Sequence, residues 1–229
     1  MIQQFFEFIL ELIVGFIAAA ITIVLFQKYI MKRRSYQLLW GIGMLFWAIT
    51  AFTQAYSLQL GWPVWMYLLY FFSAMALAGF LGAGTLGLIT RHRLVFKLYV
   101  LFNIVALVAL AYALAVVHVN QTELAQIVVG GQALPGAAIG IIAIIINIPA
   151  LVTFAGGAAY TYIRTWKLYA LMITFGAVIP AVGGTLSALA QPWVLPFTDF
   201  IGILFLAYGF YLTFKQAPLP QSKKNRIRP

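Results

Sequence analysis

Residues 1–34 read MIQQFFEFILELIVGFIAAAITIVLFQKYIMKRR. From Phe5 to Phe26 the run is apolar except for Glu7, Glu11 and Thr22, and it ends in Lys28, Lys32, Arg33 and Arg34. About 20 such residues, at 1.5 Å each, cross a hydrocarbon layer roughly 30 Å thick. A secretory leader carries its bases before the apolar core and a small-residue cleavage site after it. Here acids lead and bases follow. The segment is therefore expected to remain as a first span, N-terminus outside, with its basic end in the cytoplasm.

Composition extends that reading to the whole chain. Of 229 residues, 64% are hydrophobic and 8% charged. A soluble domain keeps roughly a quarter of its residues charged, so this chain is expected to use lipid as its solvent. The fold class is all-α: a polytopic membrane protein, a bundle of seven transmembrane helices, with the C-terminus cytoplasmic. The spans fall at about 5–27, 36–58, 64–90, 98–119, 137–163, 168–190 and 195–214. Residues 1–215 form one membrane domain, and 216–229 a basic tail expected to be disordered for want of hydrophobes. A cell membrane is the expected location.

All fourteen Lys and Arg, from Lys28 through Arg93, Lys97, Arg164 and Lys167 to the tail, fall at one face of this layout. The four acids, Glu7, Glu11, Glu123 and Asp199, fall at the other. A net charge of +10 in a soluble protein would point to nucleic acid. This distribution points to topology and to anionic lipid at the cytoplasmic face, and no nucleic-acid partner is expected. Trp62, Trp65, Tyr67 and Trp193 mark the outer interface and Trp166 the inner one. The small-residue step Ala78–Gly82 allows close helix packing, within the bundle or as a homodimer face, and a membrane protein partner is a further expectation. Asn120-Gln121-Thr122 has the form of a glycosylation sequon. Tyr36–Ile89 and Leu168–Phe214 share a faint likeness, each being two spans joined by a short turn holding Trp and Pro.

Counting rise from the basic residues gives the depth of each polar group. Glu11 lies about 25 Å above Lys28, Asp199 about 24 Å above Lys215 and Asn147 about 25 Å above Arg164. Thr185 is about 27 Å above Lys167 and Gln54 about 30 Å above Arg34. Tyr70 and His118 sit just beyond this layer. Polar groups at such depth tend to face a bundle interior or a wet cavity. Glu11, Gln54, Tyr70, His118, Asn147, Thr185 and Asp199 are thus expected to line an outward-facing, ligand-binding pocket. Its two carboxylates, with no cation beside them, would share a proton or attract a cation or amine. Interhelical bonding, with the carboxylates reaching for the headgroups, is the simpler alternative. Pro149 and Pro180 each remove a helical hydrogen bond. With Gly183 and Gly184 they form candidate hinges, and span six is expected to be bent or locally unwound.

Several chemistries find no residues. There are no cysteines, and the two histidines, His92 and His118, belong to opposite faces, so no metal site or haem pair is expected. No cofactor and no catalytic residue is expected, since phosphate loops, Ser-His-Asp spacing and metalloprotease helices are all missing. Leu195–Tyr211 holds no lysine for a retinal Schiff base. The inner half carries little beyond Asn103 and Thr174, which argues against a channel. The residues point to a non-enzymatic membrane module that binds a small ligand, senses, or engages a partner. The alternative is a small-solute or cation- or proton-coupled transporter moving about kinked helices five and six.

Because the chain has no cysteine, sidedness is directly testable. Cysteine introduced at Gln59 is expected to react with an impermeant maleimide from outside intact cells, and cysteine at Lys97 only after permeabilisation. Labelling of both from one side would refute the topology.

Overall fold

Every element in the computed structural model is a helix, and the structure describes residues 2–90, 92–125, 133–188 and 193–216. In chain order these are α1 (Ile2–Lys32), α2 (Ser35–Leu60), α3 (Val64–Ile89), α4 (Arg93–Val116) and the short α5 (Gln121–Ala125). Then come α6 (Ala137–Leu151), a π-helical turn (Val152–Gly156), α7 (Gly157–Thr165), α8 (Leu168–Ala188) and α9 (Val194–Gln216). Seven of the resulting spans, with α6 through α7 counted as one, are long and apolar enough to cross a membrane. The tail 217–229, residues 189–192 with the expected end of span six and the turn after it, part of the 120–136 loop and Arg91 lie outside the described residues.

The helices overrun the expected spans at their basic ends. α1 continues to Lys32 rather than stopping near 27, and α4 begins at Arg93 rather than 98. Lys and Arg have good helix propensity, and their long stems let the charge reach water from within the helix. The connections are short because the chain caps itself tightly. Arg33 and Trp166 take left-handed conformations, and their N–H groups donate to Tyr29 O and Tyr162 O at 2.7 Å. At the other end Asn120 accepts from the N–H groups of Thr122 and Glu123 through Oδ1 and so starts α5, the use to which the sequon asparagine is put.

Two apolar cores hold the bundle. In the first, α1 and α2 pair along their length, and α9 closes on α1. Val14, Ala18 and Leu25 meet Trp40, Met44, Trp47 and Ala51 of α2 and Ile203, Leu206 and Phe210 of α9. The second core joins α3, α4 and α6 through Tyr67, Tyr70, Phe71, Leu107, Leu110 and Ile146. α3 connects the two, packing on α2, α4, α6 and α7.

Proline and glycine behave differently in the two spans that carry Pro149 and Pro180. In span five the helix widens just after Pro149. Thr153 Oγ1 sits within 2.7 Å of Pro149 O and 3.1 Å of Ala150 O, so the carbonyls loosened there are satisfied by a side chain. Above the widening, α6 packs on α3 and α4; below it, the π turn and α7 pack on α3 and α8. In span six the expected unwinding is absent, and α8 is helical through Pro180, Gly183 and Gly184. α9 supplies the reason. A Cβ on Gly202 would strike the Pro180 ring and the carbonyl of Gly176, the group that Pro180 leaves without its donor, and a Cβ on Gly183 would strike Thr198. Glycine thus lets α9 press against the proline instead of forcing α8 apart. Gly82 of the small-residue step is likewise used within the chain, facing Thr153, Ala150 and Tyr99.

Gly202→Ala is expected to destabilise the fold by about 1–3 kcal/mol through overpacking. Gly140→Ala, with no neighbour within 4 Å, is expected to be neutral or stabilising by up to about 1 kcal/mol. Thermal unfolding in detergent checks the pair, and equal effects would refute the close α8–α9 approach.

Candidate functional site

The buried stripe of α1 has coiled-coil spacing: Glu7, Glu11, Val14, Ala18 and Leu25 all face inward. Its lower members are the apolar seam with α2 and α9, and its upper members are acids. The two partner helices do the same. On α2 the buried series Trp40, Met44, Trp47 and Ala51 is followed one turn later by Gln54. On α9 the series Phe210, Leu206 and Ile203 is preceded one turn earlier by Asp199. Three helices that share an apolar seam therefore each end it, at the acidic end of the bundle, with a polar side chain.

Burial there is severe. Glu11 is 0% exposed, Gln54 2%, Glu7 7% and Asp199 8%. Among the described residues neither carboxylate oxygen of Glu11 has a hydrogen-bond partner, and Gln54 Oε1 has none. Asp199 and Glu7 are the charged groups that bear on Glu11. Glu7 in turn accepts from Gln3 Nε2 at 2.9 Å, and Gln3 is exposed, so a line of polar groups one turn apart leads from the end of α1 down to Glu11. On the lipid side this line is screened by aromatics. Phe6 and Phe197 meet with ring centroids 5.5 Å apart, and Trp193 packs edge-on to Phe197 at 6.1 Å.

Chemically, this is an acidic group without counter-charge. Two facing carboxyls in a low-dielectric site are relieved of their repulsion by a proton or by a bound cation. The bases cannot serve, since the described Lys and Arg lie at the far end of the spans. No group of three His, Cys, Asp or Glu close enough to hold a metal ion occurs among the described residues. Glu11 leaves no solvent-accessible surface, so what it can take without its neighbours moving is a proton.

The other expected site residues do not join this cluster. Tyr70 is buried in the second core, its ring 5.0 Å from that of Trp62. Asn147 is half-buried and donates from Nδ2 to Met75 Sδ at 3.2 Å. Thr185 is exposed on α8 and donates to Ala181 O of its own helix. His118 is exposed beyond the end of α4, a helix that packs on α3 and α6. Of the seven expected residues, Glu11, Asp199 and Gln54 thus lie at the end of one seam, with Glu7 a turn from Glu11. Glu7 lay in plain sight one turn before Glu11, and the i, i+4 spacing was its signal. A second polar set, in the basic half, was signalled only by Asn103. There Asn103 Nδ2 donates to Tyr99 O at 3.0 Å, and Tyr99 and Thr153 share a hydroxyl bond of 3.0 Å.

No protein-family model, curated protein or solved structure matches the chain.

If Glu11 and Asp199 face one another as described, their neutral substitutions are coupled. In a double-mutant cycle, Glu11→Gln and Asp199→Asn each remove the same repulsion. The double variant is expected to depart from additivity by about 1 kcal/mol or more in unfolding free energy. Additive effects would separate the two residues.

Proposed function

We propose that the chain is a non-enzymatic integral membrane protein that binds a small cation, either a proton or an amine-bearing group, between Glu11 and Asp199, and that it senses or engages a partner through that site. Its acidic end faces outward and its basic end lies in the cytoplasm of a cell membrane. The observation that carries this reading is Glu11, fully buried with both carboxylate oxygens unpartnered. An uncompensated acid within a membrane span is expensive, and its usual justification is a role in binding or proton handling. Gln3 and Glu7 support access from the acidic end.

A transporter is the second reading, and the π-helical turn after Pro149 is what favours it, since such turns recur at functional sites. The seam beneath the carboxylates weighs against it. Val14, Ala18, Leu25, Trp40, Met44, Trp47, Leu206 and Phe210 fill the path from Glu11 toward the basic end with apolar side chains. A solute that entered at Glu11 would have to part α1, α2 and α9 along most of their length. Binding at one face needs no such opening.

Thermal unfolding of the reconstituted protein against protons, monovalent cations and primary amines tests the proposal. A ligand at a hundred times its Kd stabilises the folded state by about 2.7 kcal/mol. That stabilisation is expected in the native chain and lost in Glu11→Gln and in Asp199→Asn. Stabilisation that survives both substitutions would remove the site from the account. Proteoliposome flux of the same ligand, abolished by Glu11→Gln, would decide for transport.

A further inference from the structure

The oblique course of span five leaves a second feature, independent of the carboxylate site. α4 and α7 both lean on α3, but α4 packs on α6 while α7 packs on α8. α4 thus stays against span five through α6 and, at the π-helical turn, through the Tyr99–Thr153 bond, while α7 turns toward α8. A groove of about 420 Å³ opens along the exposed face of α4, walled by Leu98, Phe102, Val105 and Ala109 of α4 and by Ile142 and Ile145 of α6. Its lining is made of apolar side chains alone. Leu98 to Ala109 covers about 16 Å of helix, which is one leaflet of a hydrocarbon layer roughly 30 Å thick.

Below the groove, α4 carries two bases at its basic end. Lys97 immediately precedes Leu98 and Arg93 lies one turn further on, both exposed. We propose that this groove is a binding site for an anionic phospholipid, with one acyl chain lying along Leu98–Ala109 and the phosphate held by Lys97 and Arg93.

Length, lining and charge each bear on the occupant. An acyl chain matches a furrow that is apolar throughout and one leaflet deep. A phosphate accepts charge-assisted hydrogen bonds from an ammonium and, in bidentate fashion, from a guanidinium. A second copy of the chain, inserted with the same orientation, is the poorer fit. Its four acids all lie toward the opposite end, so it offers nothing to answer Lys97 and Arg93. Ordinary boundary lipid would coat the exposed face of α4 without regard to the concavity. The proposal differs in requiring the hollow at Ala109 and the charges below it together.

The test is native mass spectrometry of the full chain released from bilayers of phosphatidylglycerol and phosphatidylcholine in equal amounts. The native protein is expected to retain phosphatidylglycerol in preference to phosphatidylcholine. Ala109→Phe fills the hollow from an exposed position and leaves every charge in place; it is expected to lose the retained lipid. Arg93→Gln with Lys97→Gln is expected to lose the preference for the anionic headgroup. Retention in Ala109→Phe equal to that of the native chain would overturn the groove as the site. An undiminished preference in the charge variant would overturn the headgroup contact. Should the charge variant fail to insert, Ala109→Phe alone decides.

Discussion

Lipid offers no hydrogen bond, and that constraint governs every polar group in this chain. Most of them meet it within their own helix. The hydroxyls of Thr22, Thr50, Thr85, Thr161, Thr174 and Thr213 each donate to the carbonyl four residues earlier. Each of these side chains is therefore satisfied wherever it points, toward a neighbour or toward an acyl chain. A carboxylate has no such recourse. It carries only acceptors, and a helix interior has no free N–H to offer it. A buried acid is accordingly answered by another side chain, as Gln3 answers Glu7, and among the described residues both oxygens of Glu11 lack that answer. Gln37 Oε1, Gln54 Oε1, Ser73 Oγ and Asn103 Oδ1 are likewise buried without a partner among the described residues, but each belongs to a neutral group, whereas Glu11 leaves a whole carboxyl unanswered.

The same distinction explains what could be read from the sequence. Depth along a span follows from counting residues between the basic ends and the polar side chain, and for α1 and α9 that count placed Glu11 and Asp199 at one level. Depth says nothing of azimuth. Thr185 shares the level but faces away, and it can do so at little cost because its hydroxyl is bound to Ala181 O. Asn147 shares it too, and turns to Met75 in a different core. For Glu11, azimuth was in fact legible, because Glu7, Glu11, Val14, Ala18 and Leu25 form one stripe at heptad spacing. What the chain could not disclose is which helices stand beside α1, since spans of similar hydropathy carry no label of their neighbours. Lipid-exposed and core-facing surfaces are equally apolar, so the hydrophobic periodicity that orients a soluble helix is faint here.

Pro149 and Pro180 show how context decides the outcome of one residue type. Both delete a backbone donor. In α8 the facing helix presents Gly202, its backbone comes close enough to cover the Gly176 carbonyl and the proline ring, and the helix stays regular. In span five the facing glycine, Gly82 of α3, meets Ala150 and Thr153. The helix instead widens into a π turn whose carbonyls are met by the hydroxyl of Thr153, itself bonded to Tyr99. The difference lies in the partner helix rather than in the proline, and a pattern search within one span does not reach it.

These local solutions divide the bundle into two parts with different work. The half built from α1, α2, α8 and α9 is drawn together at glycines, which meet side chains at Gly15, Gly41 and Gly183 and facing backbone at Gly176, Gly202 and Gly209. A rigid surround is what a buried acid requires, since its isolation from water depends on neighbours that do not part. Span five belongs to the other half, where α6 and α7 favour different neighbours and leave space along α4. A groove there costs the carboxylate seam nothing, because α3 stands between them and packs on both sides.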